Sequence, residues 1–320
     1  MTTIKLLKNM EKKTRLFYFL LIIGFLILVY LIISSKILEN LEIFRDIILS
    51  LLLIAFLLTN LNVLTKIFRW KYLSNAYGVN LQYGEAYKIV LGSFFVSGIT
   101  PGKIGEILKA YIMKKRHGLP LKDGISCILY ERVFELLLLF FVTLGVFYIG
   151  MSAKNYIIIQ LTSFILIFIL IAYIFSDKIL IWAQKFLTRT KVLKTEGDNL
   201  RIKKINPDQA LNVFILTGIA LCLEFMRLWI VTLAFGFHIN IIHLSIYFSL
   251  AVLIGLLSQI PIGIGVVEGS LALFLTDAGL PPYYAFGIVL VDRLISIYFV
   301  MAIGLIYYKW ALTSAMEESK

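Results

Sequence analysis

The sequence predicts an all-α polytopic membrane protein with about six full transmembrane helices and two re-entrant helical hairpins in an inverted-topology repeat. Hydrophobic residues make up 60% of the chain and the mean hydropathy is +0.91. Uncharged apolar runs at 16–35, 47–65, 136–153 and 155–176 have the length of about 20 residues that a helix needs to span a bilayer. The apolar residues do not alternate with polar ones, which argues against a β-barrel.

Composition argues against several other classes of function. The formal net charge of +12 is spread over loops and forms no compact basic domain, so no nucleic-acid partner is expected. The two cysteines, Cys127 and Cys222, lie in separate apolar segments, and the three histidines follow no metal-ligand spacing. No nucleophile–base set stands out. We therefore expect no catalytic residue, no metal and no cofactor.

The predicted spans follow the positive-inside rule from a basic N-terminus in the cytoplasm. In chain order, they cover about residues 16–35, 46–66, 124–150, 156–176, 209–235 and 283–308. Lys66, Arg69 and Lys71 are expected inside, after the second span. The loop 177–208 has eight Lys or Arg against four Asp or Glu, so it is predicted to be cytoplasmic. Both termini are then cytoplasmic, and the location is the cell membrane.

Two apolar stretches, 82–117 and 242–279, are broken by proline and glycine. The first has basic residues at both ends, and the second lies between Arg227 and Arg293, where no Lys or Arg occurs. We predict two re-entrant hairpins, the first entering from the cytoplasm and the second from outside. The predicted breaks are at Pro101, Gly102, Gly105, Pro261, Gly263 and Gly265.

The two stretches belong to an internal repeat. In each copy a proline precedes a glycine by four residues, an acid follows, and a "GLP" comes next. Thirteen residues after the glycine of "GLP" lies an acid followed by arginine, Glu131–Arg132 or Asp292–Arg293. Upstream, "FRW" at 68–70 weakly echoes "MRLW" at 226–229. We predict one domain over 1–320, with repeat 1 at about 46–150 and repeat 2 at about 209–308, a plan that recurs in secondary transporters.

Charged residues inside the predicted spans are the candidate site. A charge at the bilayer centre costs about 2.5–3.5 kcal/mol on insertion scales, so it persists when it is paired or faces a wet cavity. The candidate substrate-binding residues are Arg132, Arg293, Glu106, Glu268, Lys103, Glu131, Asp292, Arg227 and Glu224. We expect Arg132 and Arg293 to lie near the midplane and to cradle an anion, since guanidinium groups suit phosphate oxygens. Alternatively, these charges only tie helices together.

The acids at the breaks, Glu106 and Glu268, have three possible roles. They could receive a cationic headgroup, carry a coupling proton, or only pair with the arginines. The residues alone do not choose between these roles.

Four blocks resemble the hallmark motifs of the lysylphosphatidylglycerol synthase membrane-domain family, a flippase-like, UPF0104-type family. They are "GSFFVSGITPGKIGEILKAY", "YERVFELL", "PIGIGVVEGSLALFL" and "VDRLISIY", in the right order over about 60–310. The resemblance implies an integral-membrane lipid flippase. Eleven residues follow Lys309, so we expect no aminoacyl-transferase domain and no synthase activity. Ile262 stands where the family often has a second glycine.

The leading hypothesis is therefore a lipid translocator. It would move a phospholipid or a polyprenyl-phosphate-linked amphiphile between leaflets, with its partners being that lipid and the bilayer. Three alternatives remain: a small-solute or ion secondary transporter, a membrane-embedded enzyme acting on a lipid headgroup, and an assembly or regulatory subunit with degenerate sites. The oligomeric state is not predicted.

Overall fold

The computed structural model describes residues 2–147 and 205–316, and every regular element in those two ranges is helical. The predicted span at 156–176 and most of the loop 177–208 lie outside the described residues. The α-helices are α1 (Thr2–Ser34), α2 (Leu49–Ala76), α3 (Tyr83–Gly98), α4 (Ile107–His117), α5 (Leu121–Thr143), α6 (Pro207–Ala234), α7 (Ile241–Leu257), α8 (Val266–Asp277), α9 (Pro282–Arg293) and α10 (Phe299–Met316). Short 3₁₀ turns lie at Ile37–Glu39, Leu41–Phe44, Pro101–Glu106, Leu144–Phe147 and Pro261–Gly263, and Leu294–Tyr298 forms a π-helical turn between α9 and α10.

Three helical stretches in the described part of the chain are long and apolar enough to cross a membrane. They are Leu49–Ala76, Pro207–Ala234 and the continuous stretch Pro282–Ser314. Two shorter apolar helices, Tyr18–Ser34 and Ile241–Leu257, accompany them. The helical class predicted from the sequence is therefore confirmed, while the number of spans stays a prediction.

Helix α2 is longer than the sequence predicts. The apolar run suggests an end near residue 66, but the helix continues to Ala76 and carries Lys66 and Arg69 within it. The physical reason is tertiary: both side chains have carboxylate partners on other helices, so the helix continues through them. The cytoplasmic side predicted for Lys66, Arg69 and Lys71 stays a prediction.

Helices α2 and α6 are antiparallel and cross at their centres. Each has 28 residues. Ile48 N–H donates to the Ala234 carbonyl at 3.0 Å, at the start of one helix and the end of the other. Midway, Asn62 Nδ2 donates to the Ala220 carbonyl at 2.6 Å. Toward the other end, Asn212 Nδ2 donates to the Tyr72 hydroxyl at 2.8 Å.

Each Pro–Gly stretch is a helix, a break and a second helix. Helices α3 and α4 flank the break at Pro101–Glu106, and both pack against α10. Helices α7 and α8 flank the break at Pro261–Gly263, and α7 packs against α5. The two breaks contact each other, so the two broken stretches meet where each is interrupted.

The repeated "GLP" motif has the same structural role twice. Gly118 ends α4 and Gly279 follows the end of α8, with φ of +67° and +100° respectively. This left-handed conformation costs glycine little and ends a helix. The proline of each motif then lies at the start of the next helix, as N-cap residue Pro120 or N-cap residue Pro281.

Candidate functional site

A polar cavity of about 170 Å³ lies where the two breaks meet the centres of α2 and α6. Seven charged side chains line it: Lys66, Lys103, Glu106, Glu135, Glu224, Arg227 and Arg293. The rest of its wall is mainly apolar and includes Phe94 and Phe248. The volume is below the 300–1,000 Å³ of pockets for drug-sized ligands, so the cavity suits a small polar group.

The two predicted arginines pair with the acids of the two breaks. Arg132 Nε donates to Glu106 Oε2 at 2.7 Å, and a second guanidinium nitrogen contacts the other oxygen of Glu106. Arg293 Nε donates to Glu268 Oε1 at 2.8 Å. The partners are 26 residues apart in the first case and 25 in the second, so the two pairs have nearly the same spacing in the sequence. Arg132 also donates to Glu135 Oε2 at 2.7 Å.

A second set of ion pairs connects α2 and α6 to the acids before those arginines. Arg69 Nε donates to Glu131 Oε1 at 3.1 Å, and Arg227 Nε donates to Asp292 Oδ1 at 2.8 Å. Lys109 Nζ adds a bond of 2.9 Å to Glu131 Oε2. Arg69 was missed as a site residue. The faint "FRW"–"MRLW" similarity was the signal that could have found it.

Lys66 on α2 and Glu224 on α6 form an ion pair in the lining of the cavity. Lys66 Nζ donates to Glu224 Oε1 at 2.6 Å, and the two residues are 158 positions apart. The same separation relates Asn62 to Ala220. Lys66 was also missed as a site residue, because the positive-inside rule offered a simpler explanation for a lysine after an apolar run.

The predicted site residues divide into those that line the cavity and those behind its wall. Lys103, Glu106, Glu224, Arg227, Arg293 and the break residue Gly263 line it. Arg132 reaches its edge through Glu106 and Glu135. Glu131, Glu268 and Asp292 are buried, each bonded to an arginine. Their part in binding a substrate stays a prediction.

Glu268 holds the second break together. Its Oε2 accepts the backbone N–H of Gly265 at 2.8 Å, while its Oε1 accepts from Arg293. Arg293 Nη2 in turn donates to the Ile262 carbonyl at 3.0 Å. The pair therefore fixes backbone groups that the broken helix leaves without intrahelical partners.

The backbone of the first break is held by a hydroxyl group next to it. Thr100 Oγ1 accepts the Gly105 N–H at 2.9 Å. Gly105 also lies so close to α3 that an added Cβ would come within 2.5 Å of the backbone at Val96 and Ser97. The 3₁₀ turn beginning at Pro101 and Gly102 completes this break.

Two polar groups on the cavity wall lack partners among the described residues. Lys103 makes no hydrogen bond or ion pair through its ammonium in that part of the chain. Its φ is +57°, a strained value for a residue with a side chain. The hydroxyl of Ser296, in the π-helical turn, is buried and also without a partner within the described ranges.

The cavity's chemistry is that of polar recognition, with ammonium, guanidinium, carboxylate and hydroxyl groups facing one space. In residues 2–147 and 205–316, no group of three His, Cys, Asp or Glu side chains is placed to hold a metal ion.

Comparison with known proteins agrees with this architecture. The family model described as "Lysylphosphatidylglycerol synthase TM region" matches residues 16–304. A UPF0104 membrane protein of Methanocaldococcus jannaschii is 25% identical over 267 residues, covering 76% of this chain and 80% of the relative. A UPF0104 membrane protein of Methanothermobacter thermautotrophicus is 28% identical over 239 residues, covering 67% and 70%. The protein is a multi-pass integral membrane protein, and it belongs to the lysylphosphatidylglycerol synthase transmembrane family.

Proposed function

We propose that this protein is a lipid translocator. It moves a phospholipid or a polyprenyl-phosphate-linked amphiphile between the leaflets of the cell membrane, with the headgroup in the polar cavity and the tails in lipid. The observation that carries the proposal is the cavity itself: a space of about 170 Å³, lined by charged side chains, enclosed by long apolar helices.

The proposed transport route rests on an inverted repeat. Three observations support that repeat: α2 and α6 are antiparallel and equally long, their equivalent residues meet at the crossing, and the two sets of arginine–acid pairs correspond. In inverted repeats of transporters the broken helices meet near the bilayer midplane and form the substrate site. The two breaks here would accordingly serve as alternate gates to opposite leaflets.

The position of the cavity supports a midplane site. Asn62 lines it and lies at the centre of α2, whose 28 residues span about 42 Å at about 1.5 Å per residue. This length exceeds the bilayer core of about 30 Å, so the helix centre falls near the midplane if α2 crosses the membrane.

The free-energy cost of burying these charges also favours a functional role for the cavity. Each charge at the midplane costs about 2.5–3.5 kcal/mol on insertion scales, and ion pairing offsets this cost only in part. A purely structural core could reach equal or greater stability with apolar side chains. A polar cargo accounts for an open space whose walls and breaks are held in shape by several charge pairs.

Reconstitution in liposomes tests the proposal. Vesicles carry a phospholipid with a fluorescent headgroup or tail label, and a membrane-impermeant reductant quenches the label in the outer leaflet. A translocator lets the reductant quench nearly all of the label, whereas vesicles without protein keep about half of it protected. The Arg293→Ala variant, which opens the second break, is expected to translocate at under a tenth of the wild-type rate. If vesicles with wild-type protein protect as much of the label as protein-free vesicles do, the proposal is overturned.

The same vesicles separate the rival functions. A small-solute transporter predicts that a water-soluble solute enters the vesicles while the lipid label stays protected. A headgroup-modifying enzyme predicts a change in the mass of the lipid rather than in its leaflet. Either result would replace the lipid-translocation proposal.

A further inference from the structure

Lys103 differs from the other cations that line the cavity. Lys66, Arg227 and Arg293 each bond a carboxylate at 2.6–2.8 Å. Lys103 has no such partner among the described residues. A cation in a membrane interior without a counter-charge is costly, so its position calls for an anion that the described chain does not supply.

The surroundings of Lys103 favour an external anion over a rearranged internal pair. Its strongest charged neighbour is Arg132, a second cation, and the nearby acids Glu135 and Glu224 are already bonded to Arg132 and Lys66. Pairing Lys103 with Glu224 would leave Lys66 without its carboxylate, and pairing it with Glu135 would leave Arg132 with Glu106 alone. The unpartnered hydroxyl of Ser296 lines the same cavity and can donate one more hydrogen bond.

The backbone of Lys103 gives an independent indication. Its φ of +57° belongs to the left-handed region, where glycine or asparagine is favoured. A lysine there carries a conformational cost, and such strain concentrates at functional sites. The first break thus places a lysine where the chain geometry alone prefers a residue without a long side chain.

We propose that Lys103, with the hydroxyl of Ser296, binds the phosphate of a lipid headgroup, and that the paired arginines hold the breaks in shape without binding the cargo. This inference deepens the proposed function and rests on it. One unpartnered ammonium matches one negative charge, so the preferred group is a phosphodiester rather than a phosphomonoester or a diphosphate. The site is asymmetric. Lys103 lies two residues after Pro101, whereas the position two residues after Pro261 is Gly263, which has no charge.

The test is lipid binding measured by native mass spectrometry on the purified full chain. Probes are phosphatidylglycerol, phosphatidic acid with the same acyl chains, and diacylglycerol, which lacks phosphate. The variants are Lys103→Asn, whose side chain tolerates positive φ, Lys103→Gln, and Ser296→Ala. The matched control is Lys88→Gln, which removes an exposed lysine of α3 outside the cavity.

We expect wild type and Lys88→Gln to bind phosphatidylglycerol equally, and more tightly than phosphatidic acid. Both Lys103 variants should lose at least about tenfold in affinity for phosphatidylglycerol, the scale of one charge-assisted hydrogen bond, with diacylglycerol binding unchanged. Ser296→Ala should lose about threefold to tenfold. Unchanged phosphatidylglycerol affinity in both Lys103 variants would overturn the inference, as would tighter binding of phosphatidic acid than of phosphatidylglycerol in wild type.

Inorganic phosphate distinguishes a lipid phosphate from a free anion. Added at 10 mM to wild-type protein, it should displace little phosphatidylglycerol. If binding of inorganic phosphate depends on Lys103 but binding of phosphatidylglycerol does not, the ligand is a free anion and not a lipid phosphate.

The binding measurement and the vesicle assay fail separately. If wild-type protein does not translocate lipid but binds phosphatidylglycerol through Lys103, the translocator proposal fails and the phosphate site stands. If wild-type protein translocates lipid and the Lys103 variants bind phosphatidylglycerol with unchanged affinity, the phosphate site fails and the translocator proposal stands.

Discussion

Asn62 and Ala220 occupy equivalent positions in two antiparallel helices and contact each other. They are 158 residues apart, and the Asn62 amide donates to the Ala220 carbonyl at 2.6 Å. Equivalent residues of an antiparallel pair come close only near its centre, and Lys66 and Glu224, with the same separation, meet one turn away. This contact therefore marks the centre of the α2–α6 pair, and the cavity lies beside it.

The first prediction concerns this crossing. Asn62→Leu should destabilise the protein by about 0.6–1.7 kcal/mol, the range measured for hydrogen bonds between membrane helices. Unfolding in mixed micelles measures the change. The control is Asn60→Leu, since the Asn60 amide bonds Phe56 within its own helix at 2.8 Å. Equal losses in the two variants would contradict a special role for the crossing.

The second prediction concerns Lys66 and Glu224. Because the two residues lie at equivalent positions, exchanging their charges should leave the bond possible. Lys66→Glu and Glu224→Lys alone each place like charges together, and each should reduce lipid translocation at least about tenfold. The double variant should recover most of the wild-type rate. A double variant no better than the worse single variant would show that the charges are not interchangeable.

The third prediction concerns Glu131, which is 2% exposed and bonds both Arg69 and Lys109. Glu131→Gln leaves two buried cations without a carboxylate, and we expect a loss of about 3–5 kcal/mol, enough to reduce folded protein sharply. Size-exclusion chromatography of detergent extracts gives the monodisperse fraction. Glu135→Gln is the control, because its partner Arg132 keeps Glu106.

The fourth prediction concerns backbone strain at the second break. Ile262 has φ of +58°, which is unfavourable for a β-branched residue. Ile262→Gly should relieve the strain, for a net gain of up to about 1 kcal/mol after the loss of its packing. Ile264→Gly, at φ of −50°, should instead lose about 1 kcal/mol. Thermal unfolding of both variants tests the difference in sign.

The fifth prediction concerns the contact of α1 with the second break. A Cβ added at Gly24 would lie 2.8 Å from both the Ile264 carbonyl oxygen and Ile260 Cγ2. Gly24→Val should therefore cost about 1–3 kcal/mol through overpacking. Gly218→Val is the control, since its added Cβ would meet only Leu138 Cδ1, at 4.0 Å. Similar melting temperatures for the two variants would show that α1 can shift without cost.

The sequence by itself determined the helical membrane class, the two broken stretches and their boundaries within a few residues. These features are local: apolar length, proline and glycine positions, and the "GLP" helix ends all act within one turn or one helix. The family resemblance was also readable in the residues, and residues 16–304 match the family.

Only the tertiary structure decided which charges meet. Sequence hydropathy ended α2 near Lys66, whereas Glu224 and Glu131 on distant helices allow it to continue through Lys66 and Arg69 to Ala76. Likewise, the sequence left open whether Arg132 and Arg293 bind an anion or pair with acids. The fold pairs each with an acid, while Lys103 has no partner among the described residues. The reason is physical: in a low-dielectric interior, the behaviour of a charge depends on the groups within a few ångströms, and those groups come from chain segments far apart in sequence.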